Sequence, residues 1–329
     1  MNVLIVTPAA PRSRSGNRVT ALRWSRLLRE LGHTVRITQA YERQRCDLLI
    51  ALHARRSFPS IRRFRELHPA VPLVLALTGT DLYGDIHSDA DARTALELAD
   101  RFIVLQPCGL DELPQSYRAS ARVIFQSVRT PTRTATRNQH SAASRRTTFD
   151  ACVLGHLRQV KDPFRAAAAS RLLPPSSRIR ILHAGGALEP AMASRARTEQ
   201  RDNPRYRWLG ELPRWRALRL LAKSHLLILS SQMEGGANVV GEALACGTPV
   251  LSSHISGSVG LLGTDYAGYY PYADTGALAV LLERAEADGA YYDHLKQHCV
   301  DRSDLVEPGR ERASLAALLR ESEDIAHAP

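Results

Sequence analysis

The chain has 329 residues, of which 44% are hydrophobic and 23% charged. These proportions fit a folded globular protein and exclude a mainly disordered, collagen-like or disulfide-stapled chain. At about 150 residues per domain the length points to two domains. The net charge of +11 comes from 41 Arg and only 3 Lys, scattered along the chain without a nucleic-acid-binding signature. The expected anionic partners are therefore phosphorylated small molecules, with no nucleic acid.

VLIVT at 3–7 reads as a buried parallel strand. The loop PAAPRSRSGNR follows, and apolar spacing then predicts a helix over 18–31 closed by Gly32. TVRIT (34–38), CDLLIAL (46–52), a helix near 57–67, LVLAL (73–77), a helix over 91–99, RFIVL (101–105) and RVIFQ (122–126) continue the alternation. Residues 130–148 are rich in Thr, Ser and Arg and read as a linker. The pattern restarts with FDACVLG (149–155), a helix over 163–173, RIRILHA (178–184), a helix over 189–201, YRWLG (206–210), a helix over 213–223, HLLILS (225–230), a helix over 237–246 and PVLSS. Helices near 275–288, 290–299 and 311–323 close the chain. Repeated strand–helix units imply parallel sheets covered by helices, here in two Rossmann-like domains, 1–129 and 149–329, whose last helix can pack back on the first.

The apolar runs are too short to cross a bilayer, and the first lacks a charged n-region and ends at Pro8, so neither stable membrane insertion nor a signal peptide is expected. Five cysteines without a CxxC pair suit a cytoplasmic protein with reduced thiols.

Ligands of open parallel sheets bind beyond the carboxyl ends of the strands, so the loops there carry the chemistry. In EGGANVVGEALACGTPV, seven residues separate Glu234 from Glu242. Gly235 and Gly236 let backbone pass close to a ligand, and the free N–H groups of the helix starting at Ala237 and Asn238 favour an anion. A carboxylate at Glu242 can accept a pair of ribose hydroxyls. Taken alone, the segment also reads as a glycine turn with two solvated glutamates. In HLRQVKDP, Arg158 and Lys161 precede a helix with Asp162 as expected N-cap and Pro163 as first residue, an arrangement suited to a diphosphate. His156 sits in the same loop. His53 and His183 also lie at strand ends. Asp89 and Asp91 spell DxD but precede a helix, where aspartate is a common cap, so no metal is expected. Cys246, before Gly247 at a helix end, reads as packing. No GxGxxG or P-loop is present, and no cofactor is expected.

Together these segments resemble the GT-B glycosyltransferases, specifically family 4 of the sugar-nucleotide-dependent enzymes. The resemblance implies two Rossmann-like domains with parallel sheets facing across a cleft. It implies a glycine-bearing loop at Gly16, an Arg158/Lys161 pair on the diphosphate, and Glu234 and Glu242 on sugar and ribose. HAGGAL (183–188) and WLGELP (208–213), with Leu209, fit the intermediate donor segments. The first half, with TPAAPRSRSGNRVTALRW, LTGTDLYGDI, VLQ and FQS, is similar to the selenosugar synthases of selenoneine biosynthesis. That similarity implies transfer from a UDP-sugar, notably UDP-N-acetylglucosamine, to selenium from selenophosphate. Many family 4 enzymes carry His where this chain has Thr78. A selenium anion is already a nucleophile and needs no base, whereas a hydroxyl acceptor does.

The resemblance thus gives Arg158, Lys161, Glu234, Thr78 and Asp81 as expected catalytic residues, Asp81 orienting an arginine such as Arg18 or a sugar hydroxyl. Glu242, Gly235, Gly236, Ala237, Asn238, His156 and Leu209 would bind the UDP-sugar. Arg14, Ser15, Gly16, Asn17, Arg18 and Thr80 would bind the acceptor. An ordinary glycosyltransferase with a hydroxyl acceptor, a non-hydrolysing sugar-nucleotide epimerase and a non-catalytic nucleotide-sugar binder remain open, as does the oligomeric state.

Overall fold

A computed structural model describes residues 1–13, 15–129 and 148–326, with side chains described as far as Glu323. Arg14 and residues 130–147 of the expected linker lie outside the described residues. Among the described residues twelve strands form two six-stranded sheets, and every strand pair is parallel. In the first sheet β1 (Asn2–Val6), β2 (Thr34–Thr38), β3 (Leu48–Leu52), β4 (Leu73–Ala76), β5 (Arg101–Val104) and β6 (Ala121–Val123) run in the order β2-β1-β3-β4-β5-β6. In the second, β7 (Phe149–Leu154), β8 (Ile179–Ala184), β9 (Tyr206–Trp208), β10 (Leu226–Leu229), β11 (Val250–Ser253) and β12 (Tyr269–Tyr270) run β12-β11-β10-β7-β8-β9. The expected α/β class of two Rossmann-like parallel sheets is what the chain adopts.

The strands form where the sequence offers short apolar runs, because a parallel sheet is covered on both faces. All five residues of β3 are buried. On one face, helix Gly16–Glu30 packs Ala21, Trp24, Leu27 and Leu28 on Val3, Ile5, Leu48 and Ile50, and the C-terminal helix Pro308–Ala326 adds Leu315, Leu318 and Leu319 to that cluster. On the other, Phe58, Ile61 and Phe64 of helix Ala54–Leu67 pack on Leu49, Ala51 and Leu75. The described residues group into two compact units. One holds Met1–Ser127, the segment Glu234–Asn238 and the C-terminal helix, and the other holds the rest.

Several elements depart from the expected bounds. Helix Ala54–Leu67 starts three residues before the expected 57, because His53 caps it by accepting the Arg56 N–H. The helix expected over 163–173 is only Arg165–Ser170. A single π-helical turn, Asp81–Asp85, and the short helices Gly109–Glu112, Gln115–Arg118 and Ser256–Leu262 were not anticipated, being too short to show a periodicity.

His183 is buried on β8 in the second unit, in the wall of a small cavity shared with Gly155 and His156, rather than on an exposed ligand loop. It is 1% exposed, its Nδ1 lies 3.0 Å from the Tyr206 hydroxyl and its Nε2 lies 3.1 Å from the Gly155 carbonyl oxygen. A carbonyl only accepts, so Nε2 carries the proton and Nδ1 takes the Tyr206 O–H. Burial pushes its pKa down to about 4. An unfolded histidine titrates near about 6.5. Between the two values the unfolded chain binds a proton that the folded chain refuses. This group's contribution is therefore intact above the unfolded value and is lost as pH falls toward about 4, by on the order of 3 kcal/mol. Urea midpoints measured from neutral to acid pH should fall less steeply in His183→Gln than in the parent. Parallel curves would contradict the assignment.

Candidate functional site

Strand order reverses at β1/β3 in the first sheet and at β7/β10 in the second. In doubly wound sheets the crevice at the carboxyl ends of such strands is where ligands bind. His156, Arg158, Lys161 and Glu234 to Ala237 of the expected site residues lie on loops that leave β7 and β10, whereas Thr78, Thr80 and Asp81 follow β4.

In the second unit, the loops after β7 and β10 are tied together. The Ser230 hydroxyl donates to the carbonyls of Lys161 and Asp162, at 3.0 and 2.9 Å, and the Gln232 N–H donates to the Val160 carbonyl at 2.9 Å. Gly155, His156, Lys161, Pro163, Ser230 and Ser231 line one small cavity there. His156 Nδ1 accepts the Gly186 N–H at 3.1 Å, which leaves Nε2 as the protonated nitrogen of the neutral ring. A Cβ at Gly185 would overlap the Gly155 carbonyl, so the ends of β7 and β8 meet backbone to backbone. Arg158 is exposed and extended, and Lys161, half-buried, ends a 3-10 turn over Gln159–Lys161. Asp162 is not the expected helix N-cap. It sits in the left-handed region at φ 42°, its carboxylate accepts from Arg165 Nε at 2.7 Å, and Phe164 caps the following helix. Pro163 accordingly precedes the helix instead of opening it.

Glu242 is 9% exposed on helix Asn238–Cys246, and its Oε1 lies 2.8 Å from Nη1 of Arg214, the first residue of helix Arg214–Lys223. Arg214 was not anticipated. In a chain with so many arginines nothing in its local sequence marks it, and only the fold brings the two together. Leu209 is half-buried beyond β9, its N–H on the His183 carbonyl at 2.8 Å. The Cys246 thiol is pushed up to about 11, by burial first and by Glu242 second, so it stays protonated and packs.

In the first unit, Ser15 caps helix Gly16–Glu30, which starts two residues earlier than expected and places Gly16, Asn17 and Arg18 in its first turn. No acidic residue occupies that turn. The Ser15 Oγ and Arg18 Nε are buried atoms without a hydrogen-bond partner among the described residues.

Asp81 departs from expectation. It is fully buried and orients neither Arg18 nor an exposed group. Its carboxylate accepts the backbone N–H groups of Thr78 (3.0 Å), Gly79 (2.8 Å) and Ala54 (3.0 Å). It thereby fixes the turn that carries Thr78 and Thr80, both half-buried. Thr80 Oγ1 lies 3.1 Å from His53 Nε2. His53 is itself 2% exposed and held at φ 76°, a conformation unusual for a residue with a side chain. Burial keeps its pKa below the ordinary histidine range, opposed by the Asp81 carboxylate.

The segment Glu234–Asn238 is grouped with this unit. Glu234 is half-buried. A Cβ at Gly235 would overlap the Thr78 carbonyl and come within 2.7 Å of the Gly79 nitrogen. One at Gly236 would lie 2.6 Å from the Leu105 Cβ. Ala237 is buried, and Asn238 Oδ1 accepts from Arg23 Nη1 at 3.2 Å. Of the DxD pair, Asp89 is the N-cap of helix Ala90–Leu98, accepting the Ala92 N–H at 2.9 Å, and Asp91 lies in its first turn.

Residues 135–299 match the family of glycosyl transferases group 1, which is half of the chain. The chain belongs to the group 1 glycosyl transferases. No curated protein matches it. Among solved structures it is similar to HepE of Anabaena in complex with UDP and glucose, with a TM-score of 0.76 at 16% identity over 98% of this chain and 100% of that one. It is also similar to sucrose-phosphate synthase of Thermosynechococcus elongatus, at 0.75 and 17% over 98% and 99%. A glycosyltransferase of Rickettsia africae ESF-5 aligns at 0.70 and 13% over 100% and 99%. At these identities the likeness is one of fold, the GT-B fold with its two Rossmann-like parts. The matched span of this group 1 transferase runs through Arg158, Lys161, Glu234 and Glu242. Among the described residues no helix is long and apolar enough to cross a membrane.

Asp81→Asn tests the buried clamp. It sets an amide NH2 against backbone N–H groups, and losing charge-assisted bonds at about 1.5–3 kcal/mol each predicts a destabilisation on the order of 3 kcal/mol. Thermal unfolding should show the lowered midpoint, and hydrogen exchange should show faster exchange at Thr78 and Gly79.

Proposed function

We propose that this group 1 transferase moves the sugar of a UDP-sugar, UDP-N-acetylglucosamine foremost, to selenium from selenophosphate. Selenium attacks the anomeric carbon as the bond from that carbon to the UDP oxygen breaks. Water then cleaves the selenium–phosphorus bond, which leaves a selenosugar, UDP and phosphate.

The observation that carries the nucleotide half is the pair of tied loops at β7/β10. Arg158 and Lys161 supply two cations where a diphosphate would lie, on a loop whose backbone at Val160, Lys161 and Asp162 is held by Ser230 and Gln232 from the neighbouring strand end. They offset charge developing on the departing UDP, as preorganised donors do. Glu242 takes the ribose hydroxyls, with Arg214 holding one carboxylate oxygen and so fixing the direction of the other. Glu234 contacts the donor sugar, Gly235 to Asn238 bring backbone to it, and Leu209 flanks the base. His156 Nε2–H adds a neutral donor to the phosphate loop. HepE of Anabaena, which has the same fold, was solved with UDP and with UDP-glucose.

The acceptor half draws support from the first unit. Helix Gly16–Glu30 presents its amino end, and the Ser15 Oγ and Arg18 Nε have hydrogen-bonding capacity in hand. Arg14, outside the described residues, and Asn17 and Thr80 complete the proposed phosphate-binding set. Thr78 is not a base, and the nearby His53 has both ring nitrogens engaged, with the Arg56 N–H and with Thr80. That suits an acceptor that arrives as an anion.

Two measurements test the halves separately. Glu242→Ala, and Arg158→Ala with Lys161→Ala, should each weaken UDP binding about tenfold or more in calorimetry. Unchanged affinity in both would remove the nucleotide from these residues. With UDP-N-acetylglucosamine and selenophosphate supplied, mass spectrometry should find a selenium-bearing sugar, and Arg18→Ala should raise the acceptor KM more than the donor KM. Robust transfer to a hydroxyl acceptor without a selenium product would leave only the broader transferase assignment.

A further inference from the structure

The first unit contains a buried ionic hub that the proposed chemistry does not use. Glu311, in the first turn of the C-terminal helix, is 1% exposed. Its Oε1 accepts from Arg23 Nε at 3.0 Å and from Trp24 Nε1 at 2.8 Å. Its Oε2 accepts the Ser127 N–H at 2.8 Å and the Ser127 hydroxyl. Four donors on one carboxylate compensate its burial. Arg23, 7% exposed, uses the rest of its guanidinium elsewhere: Nη1 reaches Asn238 Oδ1 at 3.2 Å. The surrounding donors and acceptors set the Gln126 amide with its oxygen toward Arg23 Nη2 (2.8 Å) and its nitrogen toward Asn238 Oδ1 (2.9 Å) and the Gly236 carbonyl (3.3 Å). Gln126 and Ser127, the tail of the FQS motif, are thus two sides of one network.

From this we infer that Arg23, Gln126 and Glu311 are positioning residues that set the segment Glu234–Asn238 for the sugar of the bound nucleotide. The inference rests on the donor site proposed above. The segment has little backbone freedom of its own to choose its place, because Gly235 and Gly236 abut Thr78 and Leu105 with no room for a Cβ. Contacts with those residues fix its height over the sheet. Its register along the chain is fixed at Asn238, where Arg23 and Gln126 converge on a single oxygen. Arg23 performs this only as an arginine, since its planar fork spans Glu311 and Asn238 together and a lysine could satisfy one of them but not both. The C-terminal helix therefore contributes to donor recognition through a carboxylate that touches no substrate.

Because Glu234 meets the sugar while Arg158, Lys161 and Glu242 carry most of the nucleotide, damage to the hub should lower the affinity for the sugar nucleotide well beyond that for UDP, whereas a general loss of stability would lower both together. Arg23→Lys keeps an ion pair with Glu311 and should melt near the parent. Its affinity for UDP should stay within about twofold, while that for UDP-N-acetylglucosamine falls about tenfold. Gln126→Met, which leaves the Arg23–Glu311 pair untouched, should show the same split and covers the case in which Arg23→Lys does not fold. Calorimetry with the two ligands on the full chain reads both. Parent-like binding of UDP-N-acetylglucosamine by both variants, or an equal loss for both ligands, overturns the inference while Glu242→Ala still weakens UDP. If Glu242→Ala leaves UDP binding intact, the donor site itself falls, and the inference with it.

Discussion

The geometry of the strand ends depends on places where no room remains for a single carbon atom. A parallel sheet delivers all its strands' carboxyl ends to one edge, so the loops that carry chemistry must pass one another there. Gly185 meets the Gly155 carbonyl, Gly235 meets Thr78, and Gly236 meets Leu105, each without space for a Cβ. The first two contacts are backbone to backbone and the third is with the Leu105 Cβ, which no rotamer change moves, so all three are stiff. Side chains that follow such a glycine inherit a fixed origin. Ala237 and Asn238 follow Gly236, and His156 follows the Gly155 carbonyl that Gly185 abuts.

Buried charge does the second part of the positioning. Asp81 and Glu311 are both carboxylates removed from water, and each is surrounded by donors belonging to several parts of its unit. Asp81 gathers the backbone of Thr78, Gly79 and Ala54, while Glu311 gathers Arg23, Trp24 and Ser127. Neither is available to a substrate. The arginines follow the same logic. Arg65 binds the carbonyls of Leu98, Pro69 and Val71 together with the Asp100 carboxylate, holding the end of one helix to the start of a strand. A strongly positive composition is therefore consistent with many of its charges being occupied in architecture, and the net charge alone overstates how much is presented to ligands.

This division explains what could be read from the sequence. Strand positions and long helices were legible because apolar runs and 3.6-residue spacing report burial directly, as in TVRIT and in the run that became helix Arg214–Lys223. The Glu-x7-Glu segment and the HLRQVKDP loop were legible as recurring local patterns. Asp162 misled because an aspartate before proline has the chemistry of an N-cap, yet the backbone there turns left-handed and spends the carboxylate on Arg165. Asp81 misled because a polar residue after a strand reads as a ligand group, and only the fold reveals that three amides converge on it. Arg214 with Glu242, and Arg23 with Glu311, were invisible for one reason. Each pair joins residues far apart in the chain, and no local spacing encodes such a meeting.

The two sheets also differ in what surrounds their switch points. In the order of their own strands the second sheet runs 3-2-1-4-5-6 and the first 2-1-3-4-5-6, so the switch point falls beside the first strand in both. What surrounds it is not the same. In the second unit the loop after β7 carries Arg158 just before a 3-10 turn and Lys161 at its end, with the turn's backbone held by Ser230 and Gln232. In the first unit the loop after β1 enters a 15-residue helix directly, and the anion-attracting groups are amides fixed in direction together with Ser15 and Arg18. Two long side chains on a short braced turn and a helix terminus with fixed amides are different receptors for negative charge, the first set by side-chain reach and the second by backbone direction.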